Sequence, residues 1–349
     1  MTNKQLIDKL NAFHELSKEE WIALIKNQDA QSQAYAAKLA CELRESLYGK
    51  RVFLRGLIEF TNYCKNDCYY CGIRRSNKHV ARYRLDKETI LSCCREGRAL
   101  DFRTFVLQGG EDPYFTDERL VDLVESIKRE HPDCRVTLSV GERSFESYKR
   151  LKEAGADRYL LRHETANEAH YAKLHPASLL LENRKRCLWD LKELGFQVGS
   201  GFMVGSPYQT VETLADDFLF LAELKPHMVG IGPFIPHHDT QFANEVAGSV
   251  NQTLFLLSLI RIMLPSVLLP ATTALGTLDP FGREKGMQAG ANVLMPNLSP
   301  VQVRGDYLLY DNKICTGDES AYGVDNLAER MRAIGYELAF DDPGDAFGF

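Results

Sequence analysis

The sequence is poor in everything that marks a nucleic-acid or membrane protein. Lysine and arginine total 42 against 48 aspartates and glutamates, for a net charge of −6. No cluster forms the positive patch that nucleic acid requires, so none is expected as a partner. Long apolar runs are missing too. The most apolar stretch, LFLLSLIRIMLPSVLLP at 254–270, carries Arg261 in its middle and Pro265 soon after. It falls short of an uncharged 18-residue span and predicts a buried helix running into a strand, not a membrane helix. The opening MTNKQLIDKLNAFHELSKEE has no apolar signal core, so a cytoplasmic location is expected. No Pro/Ser-rich linker, low-complexity segment or dinucleotide-binding glycine fingerprint is present.

What is there is ordinary globular composition, 44% hydrophobic and 26% charged over 349 residues. The nine cysteines (41, 64, 68, 71, 93, 94, 134, 187 and 315) are an odd number. In a chain without secretory features that count points to metal binding or catalysis before disulfides.

Residues 3–48 read as amphipathic helix, with Leu6, Ile7 and Leu10 and then Ala36, Ala37 and Ala40 at helical spacing. From residue 50 short apolar runs alternate with helical stretches: 52–60, 104–108, 135–139, 157–161, 197–204, 227–234, 266–273 and 291–296. Alternation of this kind implies parallel strands with right-handed crossovers, and eight units is the count of a TIM-type (β/α)8 barrel. The expected organisation is an α/β protein with an N-terminal helical extension (1–50), the barrel (51–315) and a C-terminal helical tail packed on it (316–349). Functional residues of such barrels gather at the C-terminal ends of the strands.

The first strand runs into EFTNYCKNDCYYCGIRR, 59–75, with Cys64, Cys68 and Cys71 spaced C-x3-C-x2-C. A [4Fe–4S] cluster takes four thiolates, so three leave one iron open. That is the logic of a catalytic metal, one protein ligand short of closure. A zinc site borrowing His79 is the alternative, weakened by the absence of a second C-x2-C. Gly109-Gly110-Glu111 follow strand 2 and allow close backbone approach to a ligand. His237 and His238 are neighbours; in extended structure they would point to opposite sides, so a solvated loop is expected and not a joint metal site. Vicinal Cys93 and Cys94 lie on a helix and are expected to be structural.

C-x3-C-x2-C with Tyr70 before its last cysteine resembles the radical S-adenosylmethionine (SAM) signature. IEFTNYCKNDCYYCGIRRSN, QGGEDPYF, AGADRYLLRHETAN, MVGIGPFIPHHDT and PATTALGT, in that order, resemble the radical SAM maturases of [FeFe]-hydrogenase, the HydE family. The resemblance implies an anaerobic enzyme whose Cys64, Cys68 and Cys71 hold a [4Fe–4S] cluster and whose cofactor SAM completes the open iron. It places Tyr70, Gly109, Gly110, Glu111, Ser139, Glu164 and Arg184 at SAM. It places Gln108, Arg162, Met228, Thr272, Thr273, Tyr307 and Tyr310 around a substrate cavity, although Met228 and the threonines also read as plain barrel filling. It implies a small-molecule or organometallic substrate, a cysteine-bound Fe(CO)2CN species with the radical reacting at sulfur. Other hydrogenase maturases and an electron donor would be partners. A methylornithine synthase-like mutase, and a non-catalytic zinc or electron-transfer protein, are the competing readings.

Two departures stand out. The family segment resembling VGLPGQT reads Val204-Gly205-Ser206-Pro207-Tyr208-Gln209-Thr210 here. Some family members carry an accessory cluster near the C-terminus, whereas here Cys315 stands alone in DNKICTGDES and no cysteine follows it. One thiolate cannot hold a cluster. Anaerobically reconstituted protein should therefore contain about four irons per chain, not the roughly six to eight that a second cluster would bring.

Overall fold

The computed structural model describes residues 1–314 and 321–347; Cys315 lies outside the described residues. Three helices come first: α1 Asn3–Phe13, α2 Lys18–Lys26 and α3 Ala30–Tyr48. Each starts at a side-chain cap, Thr2, Ser17 or Asp29, whose oxygen accepts the third helical N–H in a reciprocal capping box. Their apolar faces join the main core. Trp21 stacks on Phe218 of the helix at 211–224 with ring centroids 4.2 Å apart, so the extension shares one hydrophobic core with the barrel's helices.

The barrel follows as β1 Arg51–Leu54, β2 Gly56–Thr61, α4 Lys87–Ala99, β3 Thr104–Gly109, α5 Asp117–Glu130, β4 Arg135–Ser139, α6 Phe145–Glu153, β5 Arg158–Leu160, α7 Glu168–Leu174, α8 Leu181–Glu193, β6 Gln197–Ser200, β7 Met203–Val204, α9 Val211–Leu224, β8 Met228–Val229, β9 Gly232–Pro233, α10 Val250–Met263, α11 Thr273–Leu278, α12 Gly282–Gln288, β10 Val293–Leu294 and α13 Val301–Arg304. Strands β2, β3, β4, β5, β6 and β8 pair in that order, all parallel. Two single bridges, Met228 to Leu268 and Pro270 to Val293, carry the ring across the seventh position. Strand β10 then pairs with β1, Phe53 opposite Val293, and the circle closes. The run at 266–273 forms bridges and no ladder, because Pro270 has no N–H to give. The run at 197–204 also divides: at Gly201 (φ +147°) an added Cβ would lie 2.0 Å from the Gly230 carbonyl oxygen. The chain bends there into a small upper sheet of β7 and β9. Every residue of β2, GLIEFT, is buried, as expected of a parallel strand covered on both faces. Among the described residues no helix is long and apolar enough to cross a membrane.

The C-terminal segment forms helix α14 Val324–Ala333 and then a strand that the sequence reading did not anticipate, β11 Glu337–Ala339, parallel to β1. Residues 342–347 then cross the lower mouth of the barrel. Fully buried Arg158 donates to the Pro343 and Gly344 carbonyls and, at 2.6 Å, to Asp345. Asp345 also accepts from Arg135 and Gln197. Burial opposes the charge on Asp345, but hydrogen bonds from Arg135 and the Arg158 charge hold its carboxyl well below the usual carboxylate range. A depressed carboxylate contributes stability above its unfolded pKa of about 4, and that contribution fades as pH falls below it. Asp345→Ala strands a buried guanidinium and should cost about 3–5 kcal/mol in urea unfolding at pH 7. The gap from wild type should shrink below about pH 4.

Candidate active site

The loop after β2 is held by its backbone before any ligand is considered. Lys65 N–H donates to the Glu111 carbonyl (2.8 Å), Tyr69 N–H to Leu174 (3.0 Å) and Gly72 N–H to Leu309 (2.9 Å). Arg82 gathers four loop carbonyls, those of Asn62, Ile73, Arg74 and Asn77. Asp67 ties the turn by accepting from Ser76 and Arg74. The loop is thus fixed at the C-terminal mouth of the barrel.

Its three thiols are free and part-buried, and they lie close enough to influence one another. Burial, reinforced by the neighbouring Cys64, pushes Cys71 up to about 12. Burial and then Cys71 push Cys68 well above its ordinary value. Desolvated thiols facing one another ionise only beside cationic metal, which deprotonates a coordinating thiol outright. A single zinc at about 2.3 Å from each sulfur would hold the sulfurs about 3.8 Å apart. Among the described residues the one set of three metal-ligating side chains with ligand atoms all within 4.8 Å is His237, His238 and Asp239, not the cysteines. The sulfurs are spread wider than one zinc ion permits. A cluster, whose irons occupy separate corners, fits this donor set.

Gly109 and Gly110 are required by proximity. A Cβ on Gly110 would meet the Tyr63 carbonyl oxygen at 2.2 Å and Cys64 Cβ at 2.8 Å. The Glu111 carboxylate accepts from Glu142 N–H (3.0 Å) and pairs with Lys65 (3.2 Å). Its contribution to the loop is the carbonyl that anchors Lys65. Ser139 ends β4 and is half-buried. Glu164 follows β5 at φ +63°, a left-handed conformation that a carboxylate side chain adopts at a cost. Buried Arg184, on α8, donates to Glu142 (2.5 Å) and to the Arg162 carbonyl (2.6 Å).

Inside this rim lies a cavity of about 240 Å³, lined by Tyr70, Cys71, Gln108, Arg162, Glu164, Thr272, Thr273 and Tyr310. Apolar Leu57, Met203, Phe234, Met295 and Leu309 complete its walls. Tyr307 is buried beside Gln108. Met228 does not line the cavity. It packs one layer lower against Tyr48, Phe53 and Leu268, and its sulfur accepts from Arg55. Arg162 Nη2 and Glu164 Oε2 stand 3.0 Å apart but are misaligned for a hydrogen bond. Arg162 Nε and Nη2, Glu164 Oε2 and Thr272 Oγ1 are buried with no hydrogen-bond partner among the described residues. Buried polar atoms are normally satisfied; other buried atoms of the fold also lack partners, but these four belong to residues that line the cavity, where a ligand can pair with them.

Two cavity residues escaped the sequence reading. Glu59, 1% exposed on β2, pairs with Lys313 at 2.6 Å and accepts from Asn297 at 2.9 Å. Both line the cavity. The available signal was a carboxylate inside the apolar run VFLRGLIEF, a position buried on both faces. Lys313 carried no signal. His237 and His238 correct an expectation: their rings stack with centroids 4.4 Å apart, since a turn at 237–240 replaces extended backbone. Of the two departures, Ser206 is buried against His170, and Tyr208 keeps φ +65° with its ring 57% exposed beside Phe242. Neither lines the cavity. Cys93 and Cys94 are buried in the core.

Gly110→Ala should displace the cysteine loop. Iron per chain after reconstitution should fall well below the wild-type value while the far-ultraviolet circular dichroism of the barrel is unchanged.

The comparisons with known proteins agree with this geometry. Residues 58–221 match the model of the radical SAM superfamily. The chain is 44% identical over 335 residues to the [FeFe] hydrogenase maturase subunit HydE of Thermotoga maritima, covering 96% of this chain and 95% of that protein. It is 26% identical to 3-methylornithine synthase of Methanosarcina acetivorans, covering 97% of each. The solved structure of a methylornithine synthase superposes with a TM-score of 0.83 at 25% identity, covering 96% of this chain and 97% of that one. That of the hydrogenase maturase HydG, at 22% identity, has a TM-score of 0.82 over 97% of this chain and 77% of that one, and speaks for the shared fold. Three thiols at the mouth of a closed parallel barrel, above a cavity that Arg162, Glu164 and Thr272 line with unsatisfied atoms, thus belong to a chain that is a member of the radical SAM superfamily and, within it, of the HydE family.

Proposed function

We propose that this enzyme acts in assembly of the [FeFe]-hydrogenase active site, in the cytoplasm, on a small-molecule or organometallic substrate held in the barrel. The observation that carries the reading is the cysteine loop opening directly onto a cavity where buried polar atoms of Arg162, Glu164 and Thr272 have no hydrogen-bond partner among the described residues: Cys71 and Arg162 line the same space. Cys64, Cys68 and Cys71 would hold the cluster, which together with SAM and an electron from a donor would supply a 5′-deoxyadenosyl radical by one-electron reductive cleavage. The chain's own residues do the rest. Gly109 and Gly110 admit the methionyl end by leaving backbone exposed. Ser139 and Glu164 offer a hydroxyl and a carboxylate to a ribose diol. Arg184, fixed by Glu142, presents cationic charge beside Cys68 for a carboxylate. Arg162 holds the anionic part of the substrate, and the apolar walls exclude water from a reactive centre.

The likeness to methylornithine synthases supports a second reading, a carbon-skeleton mutase on an amino acid. The 44% relative over 96% of the chain weighs for the first. Reduced, cluster-loaded enzyme given SAM should release 5′-deoxyadenosine; absence of that product overturns the radical reading. The gene should restore hydrogenase activity to a strain lacking its HydE; failure there, with amino-acid rearrangement in vitro, favours the mutase. Arg162→Met should weaken substrate-dependent turnover roughly ten- to hundredfold, the worth of one hydrogen bond to a charged group, while the iron content is retained.

A further inference from the structure

The end of helix α7 holds the cysteine loop at two successive residues, once through backbone and once through a side chain. The Leu174 carbonyl accepts from Tyr69 N–H at 3.0 Å. The next residue, His175, has its Nε2 3.2 Å from the Tyr70 hydroxyl. Tyr70 stands between Cys68 and Cys71 in the chain and lines the cavity with Cys71, so it borders both the thiols and the substrate space. Its ring packs against Leu174, Met203, Phe234 and Phe242. Apolar packing is non-directional: it fixes where the ring sits and not where its hydroxyl points. The direction comes from His175.

His175 is an acceptor at that contact. It is buried, and its Nδ1 lies 3.0 Å from the Tyr171 carbonyl oxygen. A carbonyl only accepts, so Nδ1 carries the proton of the neutral ring and Nε2 presents its lone pair to the Tyr70 O–H. Burial, and then the Arg184 charge, press the imidazole pKa down to about 3, which keeps the ring neutral at pH 7. Backbone and packing fix its place. It follows α7 in extended conformation (φ −133°, ψ 152°), as a residue before proline must, here Pro176. Its ring stacks on Tyr171 with centroids 3.9 Å apart and meets Tyr70 edge-on at 5.4 Å. Cys68, Glu164 and Arg184 all act electrostatically on the Tyr70 hydroxyl, which therefore lies in the corner where the residues proposed for SAM converge.

We propose that His175 is a positioning residue for SAM, acting through the hydrogen bond that orients Tyr70; the inference rests on the radical SAM reading above. His175 does not itself line the cavity, so its effect passes through the tyrosine. Without the Nε2 acceptor the Tyr70 O–H becomes a buried donor with no partner, and the ring that borders the ligand loses its preferred orientation.

The test measures SAM binding to anaerobic, cluster-loaded enzyme by equilibrium dialysis of labelled SAM, with 5′-deoxyadenosine release followed beside it. His175→Phe keeps an aromatic ring against Tyr171 and removes the acceptor. His175→Asn keeps a donor for the Tyr171 carbonyl and is too short to reach Tyr70. Each should weaken SAM binding roughly five- to tenfold, the net worth of one hydrogen bond, with iron per chain retained. His175→Gln, whose amide oxygen returns an acceptor near the Nε2 position, should bring binding back to within about twofold of wild type. In a Tyr70→Phe background the donor is gone, and His175→Phe should cost nothing further. A merely structural histidine would exact its cost in both backgrounds. SAM binding unchanged in the Phe and Asn variants, iron lost from both, or an equal penalty with and without the Tyr70 hydroxyl overturns the proposal. Wild type that releases no 5′-deoxyadenosine overturns instead the reading on which it rests.

Discussion

Three thiols in a desolvated loop cannot all ionise beside one another unless metal supplies the opposing charge, and the architecture around them follows from that constraint. Attraction between side chains cannot shape such a loop before the cluster arrives, so its backbone must. Arg82 accordingly spends its donors on four loop carbonyls, and Glu111, Leu174 and Leu309 each accept a loop N–H. Gly110 has no side chain because the Tyr63 carbonyl and Cys64 fill the space it would need. The loop is a preformed socket whose conformational entropy is already spent when metal binds.

The two mouths of the barrel treat charge in opposite ways. At the lower mouth Arg158 is fully buried and its charge is answered by Asp345 and two tail carbonyls, with β11 locking the tail against β1. At the upper mouth Arg162 and Glu164 stand 3.0 Å apart yet are misaligned, and their buried atoms stay unsatisfied. Unsatisfied buried polar groups cost roughly 1–3 kcal/mol each. Arg158 Nε and two nitrogens of Arg55 are unsatisfied below as well, but only the upper set borders the cavity, where a ligand can relieve the cost. The strained backbone at Glu164 belongs to the same end.

What was legible from sequence was whatever has a period or a spacing. Eight apolar runs implied eight barrel positions, and C-x3-C-x2-C implied a three-thiol site, because both are encoded by neighbours in the chain. What was not legible depends on approach across space. Glu59 meets Lys313 from 254 positions away, and a lysine in DNKIC looks like any surface charge. Met228 was assigned to the cavity by family likeness, but its strand position turns it toward Arg55 in the layer below. The stacking of His237 on His238 could not be foreseen, since it requires a turn where extended chain was assumed.

Fold likeness alone does not choose among the members of this superfamily, since a methylornithine synthase superposes as well as a hydrogenase maturase. The 44% relative weighs for the maturase, and the question that remains is whether the departures at Ser206 and Tyr208 reach the cavity. A left-handed residue other than glycine costs on the order of 1–2 kcal/mol, yet Tyr208 keeps φ +65°. The loop has therefore retained the conformation that glycine permits while gaining an exposed ring. That ring lies against Phe242 and under the Lys173 ammonium, on the outer rim. Ser206 turns inward to His170, whose Nε2 already holds the Pro207 carbonyl. Both changes leave Arg162, Glu164, Gln108 and the threonines of the cavity untouched: Tyr208 changes the exposed rim and Ser206 the packing against His170, and neither changes the groups that line the cavity.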